Sequence, residues 1–500
     1  MDTRRRSPLS HLLLVGAIGL VGCDKNKAQE SPAHGSTTST SADGARPASS
    51  ETPTGVTILV TVDENGYLIP EDPAKKGGAA QVLGVWKLED HHTMGKDAST
   101  LVLSTGDHWG GSSISSFYGG EPMADVMGRM GYAGSGFGNH ELDFGRDQFK
   151  NNKEKGGFGY VATNVTATDD SAKSLELEPF HVYERNGFKI GVIALSSIDT
   201  PRTAMAGRFD GLKISSYDDA IATVLPAVWG QNADAVIVLA DECPTVLAAM
   251  FEKHAEWKIA AMVGGHCPAP VDAKAAGKIP LLSPSKHFQG FARVKLAFDR
   301  TKPAKERLTS VTAQVVDVSQ STVAPDADFT KTLDVFKKKQ EATLGEEIGT
   351  TSTGLKAGSP EMGRWVAGAL RDSFKVDVAI INKKGIRQDL PPGKITKGSV
   401  YSVMPFENAV VTLKIKGSDV TAALANPNVI ADGPKGKIDP AKMYDVATLD
   451  YLYFGGDGLA LEKADKNPGE TGRSWQTPVI EWTKKQATDA QKPLEKALPR

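Results

Sequence analysis

The sequence predicts an α/β protein whose strands are buried on both faces. Three observations carry this. Short apolar runs rich in β-branched residues recur: 56–62, 101–104, 188–195, 235–240 and 259–263. Five polar tips of Asp, Asn and His punctuate the apolar segments of the first half: Asp63/Asn65, Asp107, Asn139/His140, Asp241 and His266. Helical patterns fall between them. The one at 121–130 opens on Glu121-Pro122, an acid and a proline that both suit a first helical turn. A hydrophobic content of 40% with 51 glycines fits a loop-rich globular chain. Its 500 residues allow about three domains, or two large ones.

The first segment is an address rather than part of the fold. Arg4-Arg5-Arg6 precedes a short apolar stretch, Leu12 to Val21, that is too short to span a bilayer comfortably. It ends in Leu20-Val21-Gly22-Cys23, which resembles a bacterial lipobox. The resemblance implies a signal peptide at 1–22, a lipidated Cys23, and an exported, membrane-anchored protein whose body faces the periplasm or exterior. An ordinary secretory signal is the alternative. Residues 23–54, dominated by Ser, Thr, Ala, Pro, Lys and Glu, form a tether that cannot bury enough apolar surface to fold. With 58 basic and 60 acidic residues the chain has no field to steer a nucleic acid polymer. After lipidation only Cys243 and Cys267 remain, and in an oxidising compartment they could pair.

The densest polar segment is Gly138-Asn139-His140-Glu141, within Gly-Phe-Gly-Asn-His-Glu-Leu-Asp-Phe-Gly at 136–145. Glycine admits close backbone approach, Asp and Asn offer oxygens, and His offers a nitrogen that can ligate or move a proton. Polar tips at successive strand ends converge where α/β folds bind ligands. Five of them in order predict a metal-assisted site.

These motifs resemble calcineurin-like metallophosphoesterases of the bacterial 5′-nucleotidase / UDP-sugar hydrolase type, across about 55 to 483. The quoted residues are Asp63-Glu64-Asn65, Gly106-Asp107, Gly138-Asn139-His140-Glu141, Asp241 and Gly265-His266-Cys267-Pro268. The resemblance implies a four-layer α/β/β/α metallophosphatase domain at 55–318. It also implies one or two divalent ions (Mn, Mg, Ca or Zn) on Asp63, Asn65, Asp107, Asn139, Asp241 and His266, with His140 stabilising charge near the leaving oxygen. Departures are plain. Asn65, Asp241 and Pro268 stand where the family has histidines. One position would keep Asp107, Asn139, His266 and Asp241. The other would keep Asp63, Asp107 and a weak amide from Asn65. Oxygen-rich donors shift preference from zinc toward manganese, magnesium or calcium. Three outcomes follow: a two-metal hydrolase with altered ligands, a one-metal or slow hydrolase, or a substrate-binding relative without catalysis. His108, Cys243 and Cys267 are conceivable substitute ligands. The alternatives are a surface histidine and a disulfide. His91 and His92 are expected to face solvent from a polar loop.

Residues 319–345 read as an interdomain linker and helix, with Phe329, Leu333 and Phe336 at helical spacing. A smaller α/β substrate-recognition domain is expected at 346–483, with a helix at 361–374 and a strand ending at Asn382. By resemblance, Asn382, Arg387 and Lys356 map to phosphate-side contacts. Phe406 and Tyr451 map to two aromatics facing across a base slot, and Asn408 and Asp457 to polar contacts beside it. Phe454 would narrow or shift that slot. Residues 484–500 read as a charged, frayed tail without function. The expected activity is hydrolysis of extracytoplasmic nucleotides or related phosphoesters. The competing classes are a nucleotide-binding lipoprotein and a hydrolase of a non-nucleotide ester or sulfur compound.

Overall fold

A computed structural model describes residues 54–70, 76–95, 97–205, 207–459 and 461–499. The signal segment, Cys23 and all of the tether before residue 54 lie outside the described residues.

Two six-stranded sheets form the first domain. One runs, edge to edge, Leu308–Asp317, Gly290–Phe298, Gly55–Thr61, Thr100–Ser104, Tyr132–Ser135, Gly159–Tyr160. The other runs Val271–Ala275, Ile279–Ser283, Ile259–Gly264, Ala235–Asp241, Phe188–Ser196, His181–Arg185. The apolar runs read from the sequence are the central strands of these sheets. They are continuous rather than alternating because both faces are covered. In Ala235–Asp241, Ala235, Ile237 and Leu239 enter a core shared with the other sheet. Val236, Val238 and Ala240 instead meet helices Tyr217–Gly230 and Pro244–Lys253. Gly55–Thr61 divides the same way: Ile58 and Val60 go to the shared core, and Leu59 goes to helices Ala79–Glu89 and Glu121–Met130. A side-chain period of two thus builds helix, sheet, sheet, helix, the four layers that were expected.

Parallel pairing fixes where the polar tips fall. Gly55–Thr61, Thr100–Ser104 and Tyr132–Ser135 are mutually parallel, as are Phe188–Ser196, Ala235–Asp241 and Ile259–Gly264. Their carboxyl ends therefore share an edge within each sheet, and the tips gather there.

The second domain holds a five-stranded sheet in the order Val429–Asp432, Val378–Asn382, Met443–Leu449, Ala409–Lys416, Gly469–Ser474. Its core is built on Trp365, Trp475 and Trp482 with helix Pro360–Phe374. Helix Ala327–Leu344 is more than a linker: Phe329 and Leu333 are buried in the first domain's core, while Leu344 packs beneath Gly398 of the second.

Two expectations are corrected. His92 does not face solvent. It is 3% exposed, with Nδ1 against the Thr100 hydroxyl at 2.8 Å and Nε2 on the Met130 carbonyl at 2.8 Å. The segment 484–500 is not a frayed tail. Helix Gln476–Gln486 is followed by Leu494 and Leu498, both in the second domain's core. The Glu495 carboxylate accepts the Thr351 hydroxyl at 2.7 Å and the Thr353 N–H at 2.7 Å. The apolar pair at 494 and 498, one helical turn apart, is easily lost among the surrounding lysines.

Leu494→Ala is therefore expected to cost roughly 2–5 kcal/mol in denaturant unfolding, whereas Lys492→Ala, on the surface, should stay within about 0.5 kcal/mol. Equal, small effects would contradict the placement of the tail.

Candidate functional site

Asp107, Asp241 and His266 bring one ligand atom each to within 4.8 Å of one another. Asp107 follows Thr100–Ser104, Asp241 ends its own strand, and His266 follows Ile259–Gly264. Nδ1 of His266 lies 3.3 Å from Oδ1 of Asp241 and 3.8 Å from Oδ2 of Asp107. Asn139 joins them through its backbone N–H, which donates to Asp241 Oδ2 at 3.2 Å. The Asn139 side-chain oxygen is buried with no hydrogen-bond partner among the described residues. Asp63 stands beside the group, and the His266 N–H donates to its two oxygens at 3.1 and 2.9 Å.

The backbone is bent to make this possible. Asp63, Asn65, Asp107 and His266 all have positive φ, at 45°, 46°, 61° and 56°. Each costs on the order of 1 kcal/mol or more. Two glycines let the loops close. A Cβ on Gly138 would lie 2.3 Å from Asp107 Oδ1, and one on Gly265 would lie 2.4 Å from Asp63 Oδ1.

Three carboxyl groups in one buried place are mutually repulsive. Burial, then the neighbouring Asp107, pushes Asp63 up to about 6 and Asp241 up to about 8. The hydrogen bond to Asp241, and then the surrounding carboxylates, hold the His266 imidazolium to about 10. Such a group must hold protons or a cation. A divalent cation fits the half formed by Asp107, Asn139, Asp241 and His266, because that half has converging anionic oxygens, one imidazole and an amide oxygen left without a donor.

The Asp63 half is different. Asn65 turns its amide N–H onto the Asp63 carbonyl (3.2 Å), and its oxygen accepts from Arg387 Nη2 (3.3 Å). Pro268 is exposed and has no donor atom.

A supporting layer lies beneath. Glu141 accepts the N–H groups of Asp107 (3.1 Å), His108 (3.0 Å) and Gly138 (2.6 Å), fastening the two ligand loops together. His108 is neither a surface residue nor a ligand. It is fully buried, with Nδ1 against the Tyr160 hydroxyl (3.0 Å) and Nε2 against Ser135 Oγ (2.9 Å), and burial pushes it down to about 3. Glu64, raised by burial to about 8, accepts from Ser104. Sequence reading passed over Glu64 and Glu141 as partners. The available signal was an acid placed inside each glycine-rich tip. Cys243 and Cys267 form a disulfide joining the tips that carry Asp241 and His266.

His140 leaves the ligand group and faces the second domain. Nδ1 sits 2.9 Å from Asp143 Oδ2. Burial would lower its pKa, but Asp143 and Asp107 outweigh that and raise it. Its ring stacks on Phe406, centroids 5.6 Å apart and 19° between planes. A cavity of about 120 Å³ opens here between the domains. From the first domain it is lined by Asn139, His140, Asp143, Thr203, Met205 and His266. From the second it is lined by Asn382, Lys384, Arg387, Phe406, Asn408, Tyr451 and Asp457. Six residues assigned to substrate thus meet in one cleft with the catalytic candidate. Lys384 adds a cation to the lining. Asn382 Oδ1 and Asp457 Oδ2 are buried acceptors without partners among the described residues. Asn408 gives its amide N–H to Asp450 at 2.9 Å.

Two expectations change. Lys356 is 83% exposed, pairs with Asp389 at 2.7 Å and stands outside the cleft. Phe454 is 61% exposed and borders an outer hollow with Arg208 instead of narrowing the cleft.

Residues 340–437 match the family described as 5′-nucleotidase, C-terminal domain. Endonuclease YhcR of Bacillus subtilis (strain 168) is 26% identical over 345 residues, covering 64% of this chain and only 28% of that protein. Protein UshA of Yersinia enterocolitica serotype O:8 is 24% identical over 487 residues, covering 81% of this chain and 86% of the relative. A solved 5′-nucleotidase precursor from Thermus thermophilus superposes with a TM-score of 0.72 at 20% identity, covering 87% of this chain and 97% of that one. The shared fold extends through both domains.

Cation binding must displace protons from the Asp241–His266 pair, both of whose pKa values are raised. The ligating forms are the deprotonated ones, so apparent affinity is expected to climb from pH 6 to pH 9 with net proton release. Calorimetry in buffers of different ionisation enthalpy measures this. A pH-independent affinity would contradict the ligand set.

Proposed function

We propose that this chain, a relative of the 5′-nucleotidases, is an exported, metal-dependent hydrolase of nucleotides or related phosphoesters with an altered ligand set. One observation carries the reading. His266 of the Asp107–Asp241–His266 group, with Asn139, the His140–Asp143 pair and six second-domain residues assigned to substrate, lines one small cleft.

Asp107, Asn139, Asp241 and His266 would hold the ion. Three oxygen donors to one nitrogen favour manganese, magnesium or calcium over zinc. Such an ion supplies the Lewis acidity that phosphoester hydrolysis needs. The chain's own groups supply the rest. Asp143 fixes His140 through Nδ1 and favours the charged form of the ring, which leaves Nε2 as the nitrogen facing a leaving oxygen. Arg387 and Lys384 offer positive charge to phosphoryl oxygens, and the planar fork of arginine can hold two of them. Phe406 and Tyr451 present aromatic faces to a base, while Asn382 and Asp457 present acceptors to hydroxyl or amino groups. A cleft of about 120 Å³ is smaller than the roughly 300 Å³ at which ligand pockets begin, which favours entry of a nucleotide with the domains further apart.

A second reading, binding without catalysis, draws on Asn65, Asp241 and Pro268 in place of histidines. Phosphate release from AMP with added Mn²⁺ separates the two. The hydrolase reading expects turnover that Asp107→Asn abolishes. It expects His140→Ala to lower kcat by roughly 10²–10⁴. It expects Phe406→Ala to lower kcat/KM by about 10- to 100-fold, from a stacking contribution of roughly 1–3 kcal/mol, with a smaller loss for a phosphate ester that has no aromatic ring. AMP-induced thermal stabilisation with no turnover would favour the binder. Export and anchoring through Cys23 belong to the same proposal. Cys23→Ala should move the protein from the membrane fraction to the soluble one, and an unchanged distribution would remove the anchor from the account.

A further inference from the structure

We propose that only one ion position of this site is in use, and that Arg387, bonded to Asn65, supplies the positive charge of the other. The inference rests on the hydrolase reading above and narrows it to one ion per chain.

The two halves of the site differ in what their donors are doing. On the Asp241 side, three ligand atoms converge within 4.8 Å, and the Asn139 oxygen is buried without a partner among the described residues. Those donors are poised for a cation. On the Asp63 side the second side chain, Asn65, is already held by a cationic group. Both oxygens of Asp63 take the His266 N–H. Asn65, 3% exposed and held at a φ of 46°, spends its amide N–H on the Asp63 carbonyl and its oxygen on the Arg387 guanidinium. Pro268 contributes no donor. Lys286 adds another positive charge within Coulombic reach of Asp63. A divalent cation here would have to displace Arg387 from the Asn65 oxygen and would meet two like charges.

Arg387 is placed to do what a cation would do for substrate. It borders the cleft, and its guanidinium lies 5.5 Å from the Phe406 ring, which in turn covers His140. Asn65 anchors one Nη, so the fork is pre-oriented rather than free to swing. The neighbouring Gln388 donates to the Tyr67 hydroxyl at 2.8 Å, fastening the same second-domain loop to the same first-domain tip. The charge therefore arrives with the second domain, and the site is complete only when the domains meet. A histidine at 65 would serve an ion; an asparagine serves an arginine.

The test is equilibrium dialysis of the full-length chain in detergent against Mn²⁺ alone, with metal counted by mass spectrometry, followed by inorganic phosphate titration at saturating Mn²⁺. One Mn²⁺ per chain is expected, lost in Asp241→Ala. Arg387→Ala should keep the ion but weaken phosphate binding by roughly 10- to 100-fold, with partial rescue in Arg387→Lys. The triple variant Asn65→His, Pro268→His, Arg387→Ala should take up a second ion. Two ions in the natural protein would overturn the inference and leave the hydrolase reading standing. No ion at all would overturn both. Phosphate affinity indifferent to Arg387→Ala would overturn the role given to the arginine.

Discussion

The structure turns on the burial of Asp107. Its carboxylate accepts the His140 N–H at 3.0 Å, faces His266, and raises both Asp63 and Asp241. Burying one unpaired carboxylate is costly, and burying three together is tolerable only if something positive is held among them. The surrounding architecture meets that demand. Parallel strands of two sheets deliver the acids to one edge, Glu141 ties the two loops of the first sheet, and the Cys243–Cys267 disulfide ties those of the second. The left-handed backbone at Asp63, Asn65, Asp107 and His266 is the cost of aiming four tips at one point.

From this constraint the two-domain design follows. The residues with which the first domain lines the cleft include two imidazoles but no lysine or arginine. Arg387 and Lys384 come from the second domain, as do the aromatic faces. His140 marks the junction: its backbone is fastened to Asp107, its Nδ1 to Asp143, and its ring to Phe406 across the cleft. On the proposed reading, neither domain alone presents a complete set of groups to a phosphoester.

Much of this was legible in the sequence, for a definite reason. The ends of buried strands are marked by an abrupt change from β-branched residues to Asp, Asn, His and Gly, so Asp63, Asp107, Asn139, Asp241 and His266 could be found by pattern. Asn382, Phe406, Asn408, Tyr451 and Asp457 were found through motif resemblance, and each lines the cleft. What stayed hidden depends on burial and on contacts across the chain. His108 looked like a surface residue because nothing local tells that Tyr160 and Ser135 enclose it. Lys356 was placed by a loosely matching loop, and its neighbour Asp389 lies 33 residues away in sequence. Leu494 and Leu498 were masked by the lysines around them. The role of Asn65 is visible only with Arg387 beside it, 322 residues further on.

On the proposed reading, cation binding is confined to the half of the site built by Asp107, Asn139, Asp241 and His266. Anomalous diffraction at the manganese absorption edge, from crystals grown with Mn²⁺, tests it most directly. One peak among those four side chains, with Arg387 still on Asn65, is the predicted result. A second peak between Asp63 and Asn65, or no peak at all, would contradict it.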